Sequence, residues 1–139
     1  MTSYLVSSVA GRIAVVLCVF AVLLPYGLRY NRLSRGLGLG RDSAGAYLHR
    51  IWPHFWLGYL IVGFSLLHIG TVMAAMARAN PAGVWAATGA LFLLMLEVLL
   101  GLTLKDAGLR RRALVRRLHF WTMTGLLTLL VAHLWLNAR

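Results

Sequence analysis

Four long apolar runs, separated by short polar segments, dominate the hydrophobic pattern of this chain. They are Ile13 to Leu28, Ile51 to Ala77, Ala79 to Leu104 and Leu118 to Ala138, and Glu97 is the one charged residue within them. A helix needs about 20 residues to span the hydrocarbon core of a bilayer. The pattern predicts an all-α integral membrane four-helix bundle, a single domain over residues 1–139 with helices at about 8–29, 51–77, 83–104 and 116–137. We expect the first run to be a transmembrane helix and not a signal peptide.

Composition agrees with this class and excludes several others. Of the 139 residues 60% are hydrophobic, and the mean hydropathy of +0.78 is too high for an ordinary soluble domain or a disordered chain. The net charge of +11 would suit nucleic acid, but the basic residues lie between the apolar runs. Membrane topology explains that placement better than a nucleic-acid partner does. The single cysteine, Cys18, excludes an internal disulfide, a Cys-ligated zinc site and a covalent c-type haem.

The basic residues also predict an orientation. Eleven of the 14 lie in the first and third loops: Arg29, Arg32, Arg35, Arg41, Arg50, Lys105, Arg110, Arg111, Arg112, Arg116 and Arg117. Basic loops stay in the cytoplasm, so both termini are expected outside, in a bacterial-type inner (cytoplasmic) membrane. Tryptophans stand at both ends of the predicted spans, as an aromatic belt in the lipid interface would require: Trp52, Trp85, Trp121 and Trp135.

Four of the five histidines form a regular pattern. His54 and His68 are 14 residues apart on the second predicted helix, and His119 and His133 are 14 apart on the fourth. This spacing is about four turns, so each pair shares a helix face with roughly 21 Å between its members. The two helices run in the same direction. His54 should therefore face His119 near the cytoplasmic side, and His68 should face His133 near the outer side.

Two facing imidazoles at each of two levels suit two six-coordinate haems held between the second and fourth helices. Ionisable groups within a membrane span are costly and usually functional. One alternative is that the histidines are structural and bonded to backbone, Ser or Thr. Another is a metal ion without haem, which is disfavoured because no Cys, Asp or Glu is expected to accompany the histidines.

Two segments resemble a known family. "HFWLGYLIVGFSLLHIG" (His54 to Gly70) and "HFWTMTGLLTLLVAHLWL" (His119 to Leu136) are similar to the haem-binding helices of membrane cytochromes b from quinol-oxidising complexes. They are also similar to those of ferric-reductase-like and b561-like di-haem proteins. The resemblance implies that His54, His119, His68 and His133 are axial ligands of two non-covalent b haems. The family's Pro-Glu-Trp-Tyr motif is absent, and Gly89 and Gly101 are 12 residues apart where the family has glycines 14 apart.

Other polar residues are candidates for supporting roles. Arg50 and Arg116 precede His54 and His119 by four and three residues and could bind haem propionates, or could be ordinary cytoplasmic-side charges. Glu97 is a candidate for proton delivery to a quinone, with pairing to a loop arginine as the alternative. His49 is a weaker quinone or proton candidate, with a solvated loop histidine as the alternative.

These features predict a di-haem b-type cytochrome, the membrane electron-transfer subunit of a larger respiratory or photosynthetic oxidoreductase. Its expected partners are other subunits of that complex, the quinone pool and the lipid bilayer. One alternative is a stand-alone quinone-linked transmembrane reductase or oxidase acting on ferric iron or oxygen species. Another is a non-redox membrane assembly or structural protein. A subunit is favoured over a complete enzyme because the spans leave no room for a soluble catalytic domain.

Overall fold

A computed structural model describes the chain except residues 1, 31–43, 107–108 and 139, and it describes side chains within 4–25, 51–73, 78–105 and 111–138. Four helices account for nearly all of the described part. They are α1 (Thr2–Tyr30), α2 (Ala44–Ala79), α3 (Pro81–Asp106) and α4 (Leu109–Asn137). The prediction of an all-α protein is confirmed.

Each helix contains a stretch that is long and apolar enough to cross a membrane: Tyr4–Pro25, Ile51–Met73, Pro81–Lys105 and Arg111–Asn137. Little of these stretches is buried inside the bundle, and large apolar side chains such as Phe92 and Val131 are exposed on its surface. In water this surface would be unfavourable, whereas in lipid it meets hydrocarbon. The prediction of four helices that are long and apolar enough to span a membrane is confirmed.

The helices are longer than the apolar runs that predicted them. His49 and Arg50 lie within α2, and Arg110 to Arg112 lie in the first turn of α4, so the assignment of these residues to loops is wrong. The apolar pattern marks only the part of a helix that crosses hydrocarbon. Arginine is a good helix former, and a helix can therefore continue through a basic segment at the membrane surface.

The helices associate as two pairs, with α1 packed along α2 and α3 packed along α4. The buried residues of α1 are all small and lie three or four positions apart: Ser7, Ala10, Ala14 and Cys18. Small residues at this spacing let two membrane helices approach closely. The α1 backbone consequently lies near the side chains of α2.

The short connection between α2 and α3 also ties the two pairs together at one end. Asn80 is the N-cap of α3, because its Oδ1 accepts a hydrogen bond from the Gly83 amide at 3.0 Å, and Pro81 follows at the first helical position. The Asn80 Nδ2 group donates to the Leu136 carbonyl of α4 at 3.0 Å. This contact fixes the end of α4 against the start of α3.

A small apolar core lies at the middle of the bundle and draws on all four helices: Cys18, Ile61, Ala90, Leu94 and Leu126. Ile61 is seven residues from both His54 and His68, and Leu126 is seven from both His119 and His133. The apolar layer is therefore halfway between the two histidine levels.

Candidate functional site

The structure brings the four spaced histidines together as two pairs across the gap between α2 and α4. The ring centroids of His54 and His119 are 6.4 Å apart with an interplanar angle of 77°, and those of His68 and His133 are 6.2 Å apart at 80°. The two sites therefore have nearly the same geometry, although they lie at opposite ends of the apolar core. Their role as haem ligands stays a prediction.

Helix α1 orients both histidines of α2. The Nδ1 of His54 lies 3.0 Å from the Ala21 carbonyl oxygen, and the Nδ1 of His68 lies 2.9 Å from the Ser7 carbonyl oxygen. The Ser7 hydroxyl is also 2.8 Å from the Nδ1 of His68. A helix carbonyl beside a neighbouring imidazole requires close backbone approach, which the small residues of α1 provide.

Helix α3 orients His133 of α4 in the same way. The Nδ1 of His133 is 3.0 Å from the Gly83 carbonyl oxygen. A Cβ added at position 83 would lie 2.6 Å from the Asn80 Nδ2 and 2.9 Å from the Asn137 Nδ2, so any larger residue would displace these two side chains. Asn137 itself donates to the His133 carbonyl at 2.7 Å. The start of α3 and the end of α4 thus hold this ring through backbone and amide groups.

The remaining histidine, His119, contacts a carboxylate. Its Nδ1 is 2.7 Å from the Oε2 of Glu97 on α3, and the Glu97 side chain is only 11% exposed. The carboxylate is off the line along which an Nδ1–H would point, so the contact is close without being a linear hydrogen bond. Glu97 Oε1 has no hydrogen-bond partner among the described residues. The expectation that no acidic residue accompanies the histidines is therefore wrong for this pair, because α3 turns Glu97 toward α4.

The hydrogen-bond partners of the imidazoles determine which ring nitrogen is free to bind a metal. A carbonyl oxygen can only accept a hydrogen bond, so the Nδ1 atoms of His54, His68 and His133 carry the proton. A neutral imidazole protonated at Nδ1 has its lone pair on Nε2. In metal-binding histidines the second nitrogen nearly always donates to a carbonyl or carboxylate in this way. The rings of His54, His68 and His133 thus have partners that suit a metal ligand bound through Nε2.

A cavity adjoins the His54–His119 pair and reaches the apolar core. It has an atom-free volume of about 730 Å³, including the part that opens to the surface. Besides the two histidines, its wall includes Glu97, Gly58 and Gly101, and apolar residues line most of the rest. The cavity is therefore mostly apolar, with two imidazoles and one carboxylate in its wall.

Sequence reasoning missed the contributions of Ser7 and Gly11 on α1. A Cβ added to Gly11 would lie 3.0 Å from the Nδ1 of His68, so only glycine leaves this ring its full space. The signal was present as two small residues four positions apart, which share a helix face. The glycine spacing of 14 residues that the family resemblance implies does not include this pair.

The other predicted candidates are not brought to the histidines by the described part of the structure. Arg116 is exposed on α4, three residues before His119. The side chains of Arg50 and His49 lie outside the described residues, although their backbone belongs to α2. Within the described part of the chain Glu97 contacts no arginine, and its predicted quinone role stays a prediction.

Comparison of the chain with known protein families, with curated proteins and with solved structures finds no match.

Proposed function

We propose that this protein is a di-haem b-type cytochrome of a membrane redox complex. One observation carries the proposal. Three of the four spaced histidines, His54, His68 and His133, have Nδ1 hydrogen-bonded to a backbone carbonyl of a neighbouring helix. The Nδ1 of His119 lies 2.7 Å from the Glu97 carboxylate, and the four rings meet in pairs across the bundle. A histidine with a purely structural role needs a hydrogen-bond partner only to compensate for the burial of its polar ring. The matched pairing of four rings at two levels has no structural purpose that the fold supplies.

The separation of the rings supports two-sided coordination. An imidazole nitrogen binds a transition metal at about 2.0–2.1 Å. Two imidazoles bound to opposite sides of one metal ion consequently have ring centroids about 6 Å apart. The separations of 6.4 Å and 6.2 Å agree with this value. The residues therefore fit a b haem at each level, where His54 and His119 would hold one haem and His68 and His133 would hold the other.

Bound haem supplies reversible one-electron chemistry at each level. The chain's own residues hold and orient the ligands. Ser7, Ala21 and Gly83 fix the protonation of three rings through their carbonyls, and Glu97 lies beside the fourth ring, that of His119. The apolar layer around Ile61 lies between the two levels. Arg50 and Arg116 are our candidates for binding propionates at the His54–His119 end.

The two levels would carry electrons between the faces of the membrane. We place the basic ends of α2 and α4 in the cytoplasm, with both termini outside, on the positive-inside rule. The chain would then exchange electrons with quinone on one face and with a partner redox subunit on the other. In this proposal a partner subunit supplies the catalytic domain.

Purification in mild detergent tests this function. We expect a reduced-minus-oxidised absorption spectrum typical of b haem, and we expect redox subunits to copurify with the chain because it acts as part of a complex. A b-haem spectrum in a chain that oxidises quinol without any other subunit would instead favour a stand-alone enzyme. A preparation with no haem absorbance would contradict the proposal.

A further inference from the structure

The two histidine pairs are nearly identical in geometry but differ in one partner. In each pair the α2 histidine donates to an α1 carbonyl, of Ala21 at one level and of Ser7 at the other. The α4 histidines differ, because His133 contacts the neutral Gly83 carbonyl whereas His119 contacts the Glu97 carboxylate. The two levels therefore differ in one respect: a charged group contacts the α4 histidine at one level, and an uncharged group contacts it at the other.

The negative charge of Glu97 needs a compensating positive charge. A carboxylate within a membrane span is costly unless a cation compensates it. Among the described residues its ion-pair contact is with His119 alone, and a ring that is bound to a metal through Nε2 is not a cation by itself. Oε1 of Glu97 is buried and has no described hydrogen-bond partner. Among the residues that the structure describes, no positive charge other than the His119 contact compensates this side chain.

A ferric haem with two neutral imidazoles supplies that charge. Its iron and porphyrin together carry a net charge of plus one, and the ferrous form carries none. A negative group beside an axial ligand therefore stabilises the oxidised form more than the reduced form. A carboxylate partner also makes the imidazole a more basic ligand, which acts in the same direction.

Resting on the proposed function, we propose that Glu97 is a positioning residue that gives the haem between His54 and His119 the lower of the two reduction potentials. When the protein takes up one electron, that electron resides on the haem between His68 and His133, because this haem has the higher reduction potential. Transfer from the first level to the second is downhill, so the carboxylate gives the electron path a preferred direction.

A potentiometric titration followed by absorption spectroscopy tests this inference. The wild type should show two waves, and Glu97→Gln should shift the lower wave to higher potential because it removes the charge and keeps the shape. The matched variant Ser7→Ala removes a neutral hydroxyl beside His68 at the other level. It should leave the lower wave in place. A lower wave that does not move in Glu97→Gln, or a shift confined to the higher wave, would overturn the inference.

Assignment of the waves provides a second test that does not need Glu97→Gln to bind haem. His68→Ala should retain only the lower wave, and His54→Ala should retain only the higher one. The reverse assignment would overturn the inference even if every variant assembled. A wild-type protein without haem would contradict the proposed function itself, whereas two bound haems with the reverse order would contradict only the role of Glu97.

Discussion

Replacement of His54 or His119 with alanine is expected to remove the same haem, and replacement of His68 or His133 is expected to remove the other. Each variant should lose about half of the haem absorbance, since each removes one of two axial ligands from a single site. The pairing across helices follows from the ring contacts, which join His54 to His119 and His68 to His133. Absorption and electron paramagnetic resonance spectra of the four purified variants measure the loss.

Matched controls on the same helices separate ligand loss from damage to the bundle. Leu66 is two residues before His68 and Val131 is two before His133, and both side chains are exposed toward lipid. Leu66→Ala and Val131→Ala should retain both haems, because neither contacts a histidine pair. If His54→Ala and His68→Ala removed the same spectral component, the two-level arrangement would be wrong.

A second large effect on haem binding is expected from substitution of Gly11, which is not itself a haem ligand. Gly11→Val should remove or greatly weaken the haem between His68 and His133 and leave the other haem bound. The added Cβ alone would be 3.0 Å from the Nδ1 of His68, and the two methyl groups would displace the ring. Overpacking of this kind costs about 1–3 kcal/mol in a well-packed interior. The haem-to-protein ratio and the spectrum of the remaining haem measure the outcome.

Gly70→Val is the matched control for Gly11→Val. Gly70 lies on α2 near His68, and a Cβ added there meets nothing within 4 Å. Both substitutions introduce the same β-branched residue into a helix, so their effects on helix propensity are similar. Normal haem content in Gly11→Val, or equal losses in both variants, would contradict the proposed crowding of His68.

The apolar pattern predicted the four helices because a membrane span must satisfy its backbone hydrogen bonds within one long apolar segment. The facing of His54 and His119 followed from equal spacing on two helices that run in the same direction. These predictions need only helix periodicity and direction. They do not depend on how each helix is rotated against its neighbour.

The partners of the histidines depend on that rotation, and the sequence could not supply it. A backbone carbonyl is present at every residue, so the amino-acid sequence does not distinguish Ala21 or Gly83 as a hydrogen-bond acceptor. The contact of Glu97 with His119 likewise requires the actual packing of α3 against α4. The first turns of α2 and α4 were misassigned for a different reason, because a basic helix end and a basic loop have the same composition.

The haem content of the purified wild-type chain tests the central claim most directly. Pyridine haemochrome analysis, combined with a protein determination on the detergent-solubilised chain, measures non-covalent b haem per polypeptide. Two matched histidine pairs predict two haems per chain, both extractable with acidified solvent because the sequence has no cysteine pair for covalent attachment. One haem per chain would show that one histidine pair is not a ligand pair, and none would contradict the account as a whole.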